Sequence, residues 1–418
     1  MKRIVARAAV VGAVLSLAAC YQHGSPAPAP SGVTVVAGDQ SATVGWTPVS
    51  GVDYWVWCAQ STSITNDNAF SLPGLRIITD ASTPTVVAGL TNGTTYACMV
   101  NGRINGGPGG PGSASISIVP RLAGANWTVG ATTVTGTTNL RGATYGATFV
   151  AVGDGGAMFT STDANTWTAI TPVDATKILY AATFGGSYVA AGQGGTILTS
   201  ADAVTWTAQT SGTTNDLYAL ATTGGGYYLA VGQAGTILYS SGGATWTAPT
   251  TSPATATENL TGAAYGALST GSFFVAVSDQ GRILASTDGG ITWSSQTQAS
   301  PLYALAYGID TTVTPNVAKF VAVGASGTVL TSTDGAAWTA QTPISTGALR
   351  AVTFGRQFIA VGDTGTVFTS TDGANWQPGV LNTSTTQNLL AITHNSSVSS
   401  APFGYAAVGT SGTNLTAY

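Results

Sequence analysis

The chain has 418 residues, of which only 7% are charged, and a formal net charge of −4. A sequence this poor in Lys and Arg offers no basic surface for nucleic acid, so nucleic-acid binding is excluded. With two histidines, His23 and His394, far apart in the chain, no His-based metal site or catalytic triad can be assembled, and no cofactor is expected.

Residues 1–20 read as a targeting segment. Lys2, Arg3 and Arg7 form a positive start, and Val10 to Leu17 form an apolar run too short to cross a bilayer as a mature helix. The run ends Leu17-Ala18-Ala19-Cys20, which resembles the lipobox of bacterial lipoproteins. That resemblance implies lipidation at Cys20, which would become the mature N-terminus. The alternative is an ordinary secretory signal with an incidental cysteine. Several acyl chains on one cysteine anchor stably, where a single chain is marginal. Tyr21 follows the cysteine instead of Asp, which by the usual lipoprotein sorting rule implies an outer-membrane destination, on its periplasmic or cell-surface side. Removing the segment leaves nine basic residues against sixteen acidic ones, a net charge near −7. Residues 21–31, rich in Pro and Ala, should form an extended tether.

Residues 32–120 alternate in strand fashion. VTVVAG, SATVGWTPV, DYWVWCAQ, LRIITD, TPTVVAGL, TTYACMV and ASISIV are separated by Gly, Asn, Asp and Pro. Seven short strands in about ninety residues predict a β-sandwich. The stretch resembles a fibronectin type III domain. Trp46 stands where that family has a buried tryptophan, and Leu90 to Tyr96 is similar to its tyrosine corner. Cys58 and Cys98 depart from the family. After Cys20 they are the remaining cysteines, and an even pair in an exported chain is a disulfide candidate; two buried thiols are the alternative. A bridge would close a loop of about forty residues and contribute about 4 kcal/mol in the chain-entropy model. The GGPGGPG run from Gly106 to Gly112 reads as a flexible loop. The default role of this domain is a spacer.

Residues 121–418 are repetitive. Trp127, Trp167, Trp206, Trp246, Trp293, Trp338 and Trp376 fall at steps of 40, 39, 40, 47, 45 and 38 residues. A period near forty built from several short strands predicts a β-propeller. First strands begin at Leu140, Leu179, Leu217, Leu260, Leu302, Leu349 and Leu389. The last repeat stops at Tyr418 after its third strand, while Ala125 to Val129 matches the missing fourth. The expected fold is therefore all-β, a fibronectin type III-like sandwich followed by a seven-bladed propeller closed by an N-terminal strand. Closure of that kind pairs edges that would otherwise aggregate.

Between the third and fourth strands lie Ser161-Thr162-Asp163, Ser200-Ala201-Asp202, Ser286-Thr287-Asp288, Ser332-Thr333-Asp334 and Ser370-Thr371-Asp372, each leading to a Trp. They resemble the Asp-box, or BNR repeat, although all but the fourth are one residue short and the third repeat has Gly242 in place of Asp. Asp and Ser satisfy turn N–H groups, Gly takes positive φ and Trp packs between blades, so these aspartates are read as structural. Asp-box propellers include sialidases, β-glucan hydrolases, sorting receptors and the photosystem II assembly factors. The tight repeat FVAVG-x-x-GT-[IV]-x-TSTDG-x-x-W is most similar to the last group, which implies a non-enzymatic binding scaffold.

Catalysis is not expected. The propeller arginines Arg121, Arg141, Arg282, Arg350 and Arg356 do not recur as a carboxylate-binding triad, and Glu258 is the single glutamate. Glycosidases need two opposed carboxylates. Asp154, Asp279 and Asp363 sit at turns, where Asp is common.

Meander connectivity puts the starts of the first strands and the turns between strands two and three on one face, with the Asp-boxes on the other. The residues after each leading Leu are Arg141, Tyr180, Tyr218, Thr261, Tyr303, Arg350 and Leu390. The second residues of the turns are Asp154, Gln193, Gln233, Asp279, Ala325, Asp363 and Thr410. This predicts an aromatic and basic ring beside an acidic and amide one, with Arg141, Tyr180, Tyr218, Tyr303, Arg350, Asp154, Asp279 and Asp363 as the candidate ligand face. Tyr and Arg are frequent anchors of binding surfaces, and tyrosines also serve simply to fill a central channel. Two functions stay open: a monomeric, lipid-anchored surface protein binding a protein partner, and a glycan-binding or glycan-cleaving propeller.

Overall fold

The computed structural model describes residues 25–130, 138–249, 257–310, 312–382, 385–395 and 404–417. Cys20 and the targeting segment lie outside the described residues. The chain divides into two compact units with the boundary between Leu122 and Ala123. Among the described residues the regular structure is strand, with three-residue 3-10 turns as the only helical elements.

The first unit is two antiparallel sheets. Strands β1 (Thr34–Gly38), β2 (Ser41–Gly45) and β5 (Thr85–Ala88) form one, in the order β1-β2-β5. Strands β3 (Val52–Gln60), β4 (Arg76–Ala81), β6 (Tyr96–Ile104) and β7 (Ile116–Ile118) form the other, in the order β4-β3-β6-β7. Alternate residues Tyr54, Val56 and Cys58 of β3 and Tyr96, Cys98 and Val100 of β6 face a core that also holds Trp46, Val44, Val87 and Leu90. Cys58 lies directly opposite Cys98 in the β3–β6 register, with α-carbons 4.1 Å apart, and the two are joined as a disulfide. The Tyr96 hydroxyl accepts a hydrogen bond from Thr91 N, five residues upstream, at 3.2 Å.

The Gly106–Gly112 run differs from the flexible loop expected. Gly110 N donates to Gly102 O at 2.8 Å, Asn66 Nδ2 donates to Gly110 O at 2.9 Å, and Gly107 and Gly110 are buried. Glycine lets this run lie flat against its neighbours where a side chain would hold it off.

Among the described residues the second unit contains seven sheets. The second is typical, with strands Leu179–Phe184, Tyr188–Gly192, Ile197–Ser200 and Thr207–Gln209 in sequence order. First strands lie side by side from Leu140–Tyr145 round to Leu389–His394, which lies against Leu140–Tyr145 again. Every leading leucine is at most 1% exposed. Second strands such as Phe149–Gly153 and Tyr405–Gly409 are buried at all five positions. A strand covered on both faces carries no polar alternation, which is why FVAVG reads as a continuous apolar run.

In the last sheet Asn126–Val129 pairs antiparallel with Asn414–Ala417, matching Val129 to Leu415 and Thr128 to Thr416. Val380–Leu381 adds outside it in parallel, a fifth strand that the repeat pattern does not contain. Among the described residues the third sheet has three strands. Its fourth segment is reduced to reciprocal 2.9 Å hydrogen bonds between Tyr239 and Thr247.

The hairpin before that segment also differs. In the first repeat Asp163 Oδ1 accepts from Asn165 N and Thr166 N, at 2.9 and 2.8 Å. Asp202, Asp288, Asp334 and Asp372 do the same in their own turns. Gly242 has no side chain to do so. Six of the seven repeat tryptophans donate from Nε1 to the carbonyl three residues upstream, as Trp127 does to Gly124 O at 2.8 Å.

Contacts between sheets follow a second rule. The Tyr188 hydroxyl is held by Ala147 N, Thr148 N and Thr148 O of the preceding sheet. Tyr228 engages Ser187, and Tyr405 engages Arg356 and Gln357, in the same manner. Each buries a ring and satisfies its hydroxyl on the neighbouring turn.

Candidate functional site

The first strands converge at one end of the second unit around a mouth of about 150 Å3. Arg141, Tyr180, Tyr218, Thr261, Tyr303, Arg350 and Leu390 all line it, over a floor of small apolar residues such as Ala143, Ala182 and Ala263. The ring expected from the sequence is therefore brought together. A groove of about 740 Å3 lies elsewhere, along Gly194–Leu198 and Ala208–Asn215, but it gathers no arginine or aromatic side chain.

The ring falls into two arcs. In one, Arg141 lies 5.8 Å over the Tyr180 ring, and Tyr180 meets Tyr218 edge to face with centroids 5.1 Å apart. In the other, Arg350 lies 5.2 Å over Tyr303. Thr261 and Leu390 separate them. Thr261 is turned into the wall, its hydroxyl donating to Leu302 O at 2.7 Å.

Each arginine is held by an aspartate of its own sheet. Arg141 donates from Nε and Nη2 to Asp154, and Arg350 donates to Asp363 from Nε at 2.8 Å and Nη2 at 3.2 Å. This two-point geometry fixes the guanidinium plane. Burial alone would raise Asp154, but hydrogen bonds from Arg141 and Asn139 and the arginine charge bring it below its ordinary value. The Arg350 hydrogen bond lowers Asp363 despite burial. Both pairs are part-exposed and use Nε and Nη2 of each arginine, leaving Nη1 outside the pair.

Asp279 does not join these sets. Its carboxylate accepts from Asn259 N at 3.0 Å and Asn259 Nδ2 at 2.8 Å. The same staple recurs round the second ring: Gln193 accepts from Ile178 N, Gln233 from Asp216 N, Asp363 from Ala348 N and Thr410 from Asn388 N. The acidic and amide ring thus has a structural use, capping the backbone that leads into each first strand.

A third set was not singled out in the sequence. The residue before the leading leucine reaches back to the preceding sheet. Asp216 accepts from Gly194 N, Asn259 from Ala234 N, Asn388 from Thr364 N and Asn139 from Ser411 N. The donors lie in turns with positive φ, from Gly194 at 65° to Ser411 at 54°. The available signal was Asn or Asp immediately before Leu in four of the seven repeats.

Burial, then the Asp216 carboxylate, pushes the Tyr180 phenol up to about 12. Tyr218 is raised by the same causes. Glu258 is fully buried and ion-paired with Arg282 at 2.9 Å. Among the described residues no group of three or more His, Cys, Asp or Glu is arranged to hold a metal.

No protein-family model and no curated protein matches the chain. Among solved structures it is similar to YCF48 from Cyanidioschyzon merolae, at 16% identity and a TM-score of 0.53, covering 69% of this chain and 98% of that one. It is also similar to YCF48 bound to D1 peptide, at 16% identity and a TM-score of 0.52, covering 69% of this chain and 96% of that one. The WD40 β-propeller domain of Doa1 matches at 12% identity and a TM-score of 0.52, over 70% of this chain and 97% of that one. At these identities the likeness establishes the fold, a β-propeller.

Proposed function

We propose that the chain is a lipid-anchored outer-membrane protein that uses its propeller mouth as a non-enzymatic docking site for a protein segment. On this reading residues 32–120 are a fibronectin type III-like domain, supported by the three- and four-stranded sheets and by the Tyr96–Thr91 hydrogen bond. Residues 121–418 are a seven-bladed ring, and the Asn126–Val129 strand closes it, a reading supported by its pairing with Asn414–Ala417. The anchor reading rests on the Cys20 motif.

The observation that carries the binding role is the mouth. Two oriented guanidinium groups and three tyrosines surround a shallow apolar floor, and such groups anchor peptides at low entropic cost. A structure similar in fold is of YCF48 bound to D1 peptide. Hydrolysis fits poorly. The carboxylates near the mouth are engaged by Arg141, Arg350, Asn259 and Tyr180, and Tyr180 is raised, whereas a tyrosine nucleophile needs a lowered pKa.

The test pairs a photo-cross-linker at Tyr218, in producing cells, with a glycan array probed by the purified mature protein. A discrete cross-linked protein whose binding weakens at least tenfold in Arg141→Ala/Arg350→Ala supports the reading. Glycan binding or glycan cleavage by the wild-type chain, with no cross-linked protein, overturns it.

A further inference from the structure

The tether is not free where it is described. Ile104 N donates to Ser25 O at 2.9 Å, Pro26 bridges Arg103, and Ala27 is 2% exposed. A β-carbon on Gly110 would come within 1.9 Å of Ala27 O, so the glycine run leaves the space that the tether backbone fills. The chain is thus clamped to the sandwich from Ser25 onward. Only Tyr21 to Gly24 separate Ser25 from Cys20. Five fully extended steps span at most about 17 Å.

The pole of the sandwich where the tether is clamped is distinctive. It is made by 25–33, the β2–β3 loop 46–51, the β4–β5 turn 82–84 and the start of the β6–β7 loop, 105–108. None of these loops contains Asp, Glu, Lys or Arg; the charges beside them, Asp53, Asp80 and Arg103, lie on the adjoining strand ends. Val49 is 60% exposed, and Pro48, Pro84 and Pro108 are exposed beside it. The opposite pole carries Asp39, Asp67 and Arg121. The chain leaves there, with Arg121 N bonded to Gly38 O at 3.2 Å.

We infer that this pole, whose loops hold no charge, rests on the surface of the bilayer that holds the Cys20 lipid, and that the sandwich stands on it as a spacer. The inference rests on the anchor reading given above. A leash this short keeps the pole at high local concentration against the lipid, so a weak apolar contact suffices. Charged loops would have to be desolvated against the headgroups, and these loops hold no charge. Entry at one pole and exit at the other, along nine-residue strands of about 30 Å, suits a spacer and not a domain lying flat.

The full-length lipidated protein is reconstituted in phosphatidylethanolamine/phosphatidylglycerol vesicles with one spin label, at Val49→Cys or at Thr62→Cys in the opposite pole. Cys58 and Cys98 are bonded to each other and do not compete for the label. Accessibility to oxygen, relative to a water-soluble nickel chelate, should be at least threefold higher at position 49 than at 62. Equal ratios in protein that floats with the vesicles overturn the pole contact and leave the anchor standing. Protein that fails to float, and that Cys20→Ser does not change in cell fractionation, overturns the anchor and this inference together.

Discussion

The two faces of the propeller are made by the same repeats and differ in what those repeats hold constant. On the Asp-box face, Asp163, Asp202, Asp288, Asp334 and Asp372 each turn inward to their own backbone, so five sheets solve one problem in one way. On the mouth face, the position after the leading leucine is Arg, Tyr, Tyr, Thr, Tyr, Arg and Leu. Thr261 aside, that position is relieved of fold duty, because the leucine before it fills the core and the second ring caps the strand. Repetition marks what holds the molecule together, and variation within the repeat marks where recognition is free to sit.

The largest expected effect tests whether the seven sheets act as one set. Deleting Ala125 to Val129 removes Trp127, which is 0% exposed, and uncovers the edge of Asn414–Ala417. Loss of a buried Trp alone costs about 3–5 kcal/mol. The variant should aggregate or melt far below wild type in calorimetry, and unchanged melting would mean that the last sheet does not need this strand.

Acid should then act in two steps. His394, half-buried on the first strand of the last sheet, is lowered to about 4 by burial. Its folded pKa lies below the unfolded value of 6.5, so the stability it protects is complete above pH 6.5 and is lost as pH falls towards 4. A span of that size corresponds to roughly 3 kcal/mol. Asp202 is lowered to about 2 by hydrogen bonds from Thr205 N and Val204 N, and Asp288 to about 2 by the Thr292 hydroxyl and N–H. Burial opposes the shift at Asp372, and its hydrogen bonds with Asn375 and Ala374 still bring it to about 2. These are depressed carboxylates, so their contribution persists above the ordinary value of 3.8 and disappears as pH falls from there towards 2. A pH series of melting temperatures should show two legs, and His394→Gln should flatten only the first.

Smaller effects fall on single positions. Asp288→Ala strips acceptors from Ile291 N and Thr292 N and should cost about 1–2 kcal/mol in chemical denaturation. Ligand binding at the mouth should stay unchanged. Arg350→Ala should do the reverse. Its pair with Asp363 is part-exposed and worth about 0–1 kcal/mol, so melting should scarcely move while ligand affinity falls. If Arg350→Ala melts like Asp288→Ala, the contrast between the faces is gone.

What the sequence made legible follows the same division. The leading leucines, the tryptophans and the Asp-box turns recur at one offset, so periodicity exposes them. The match of Ala125 to Val129 to a fourth strand was visible for the same reason. The tyrosines Tyr188, Tyr228 and Tyr405 escaped notice because Phe replaces them in the other four repeats, and only the hydroxyl makes the bond to the next sheet. Val380–Leu381 and the clamped Ser25–Ala27 escaped because each is used once. The Arg–Asp pairs join positions thirteen residues apart in two repeats, Arg141 with Asp154 and Arg350 with Asp363, and the structure shows both pairs made. Composition alone does not choose between a pair and a ligand anchor, because an arginine has five donors and serves as both.

The pairing of Asn126–Val129 with Asn414–Ala417 also sets an order in time. Thr128 and Thr416 are 288 residues apart in the chain, yet their side chains lie 3.2 Å from each other. The strand made first in this unit waits for the one made last. Contacts so distant in sequence form late and slowly, since loop closure must be complete before they contribute. Until then an apolar segment bearing Trp127 stays without its partner, an aggregation-prone interval during synthesis. A chain truncated before Asn414 should therefore depend on a holding chaperone far more than one lacking a single inner turn.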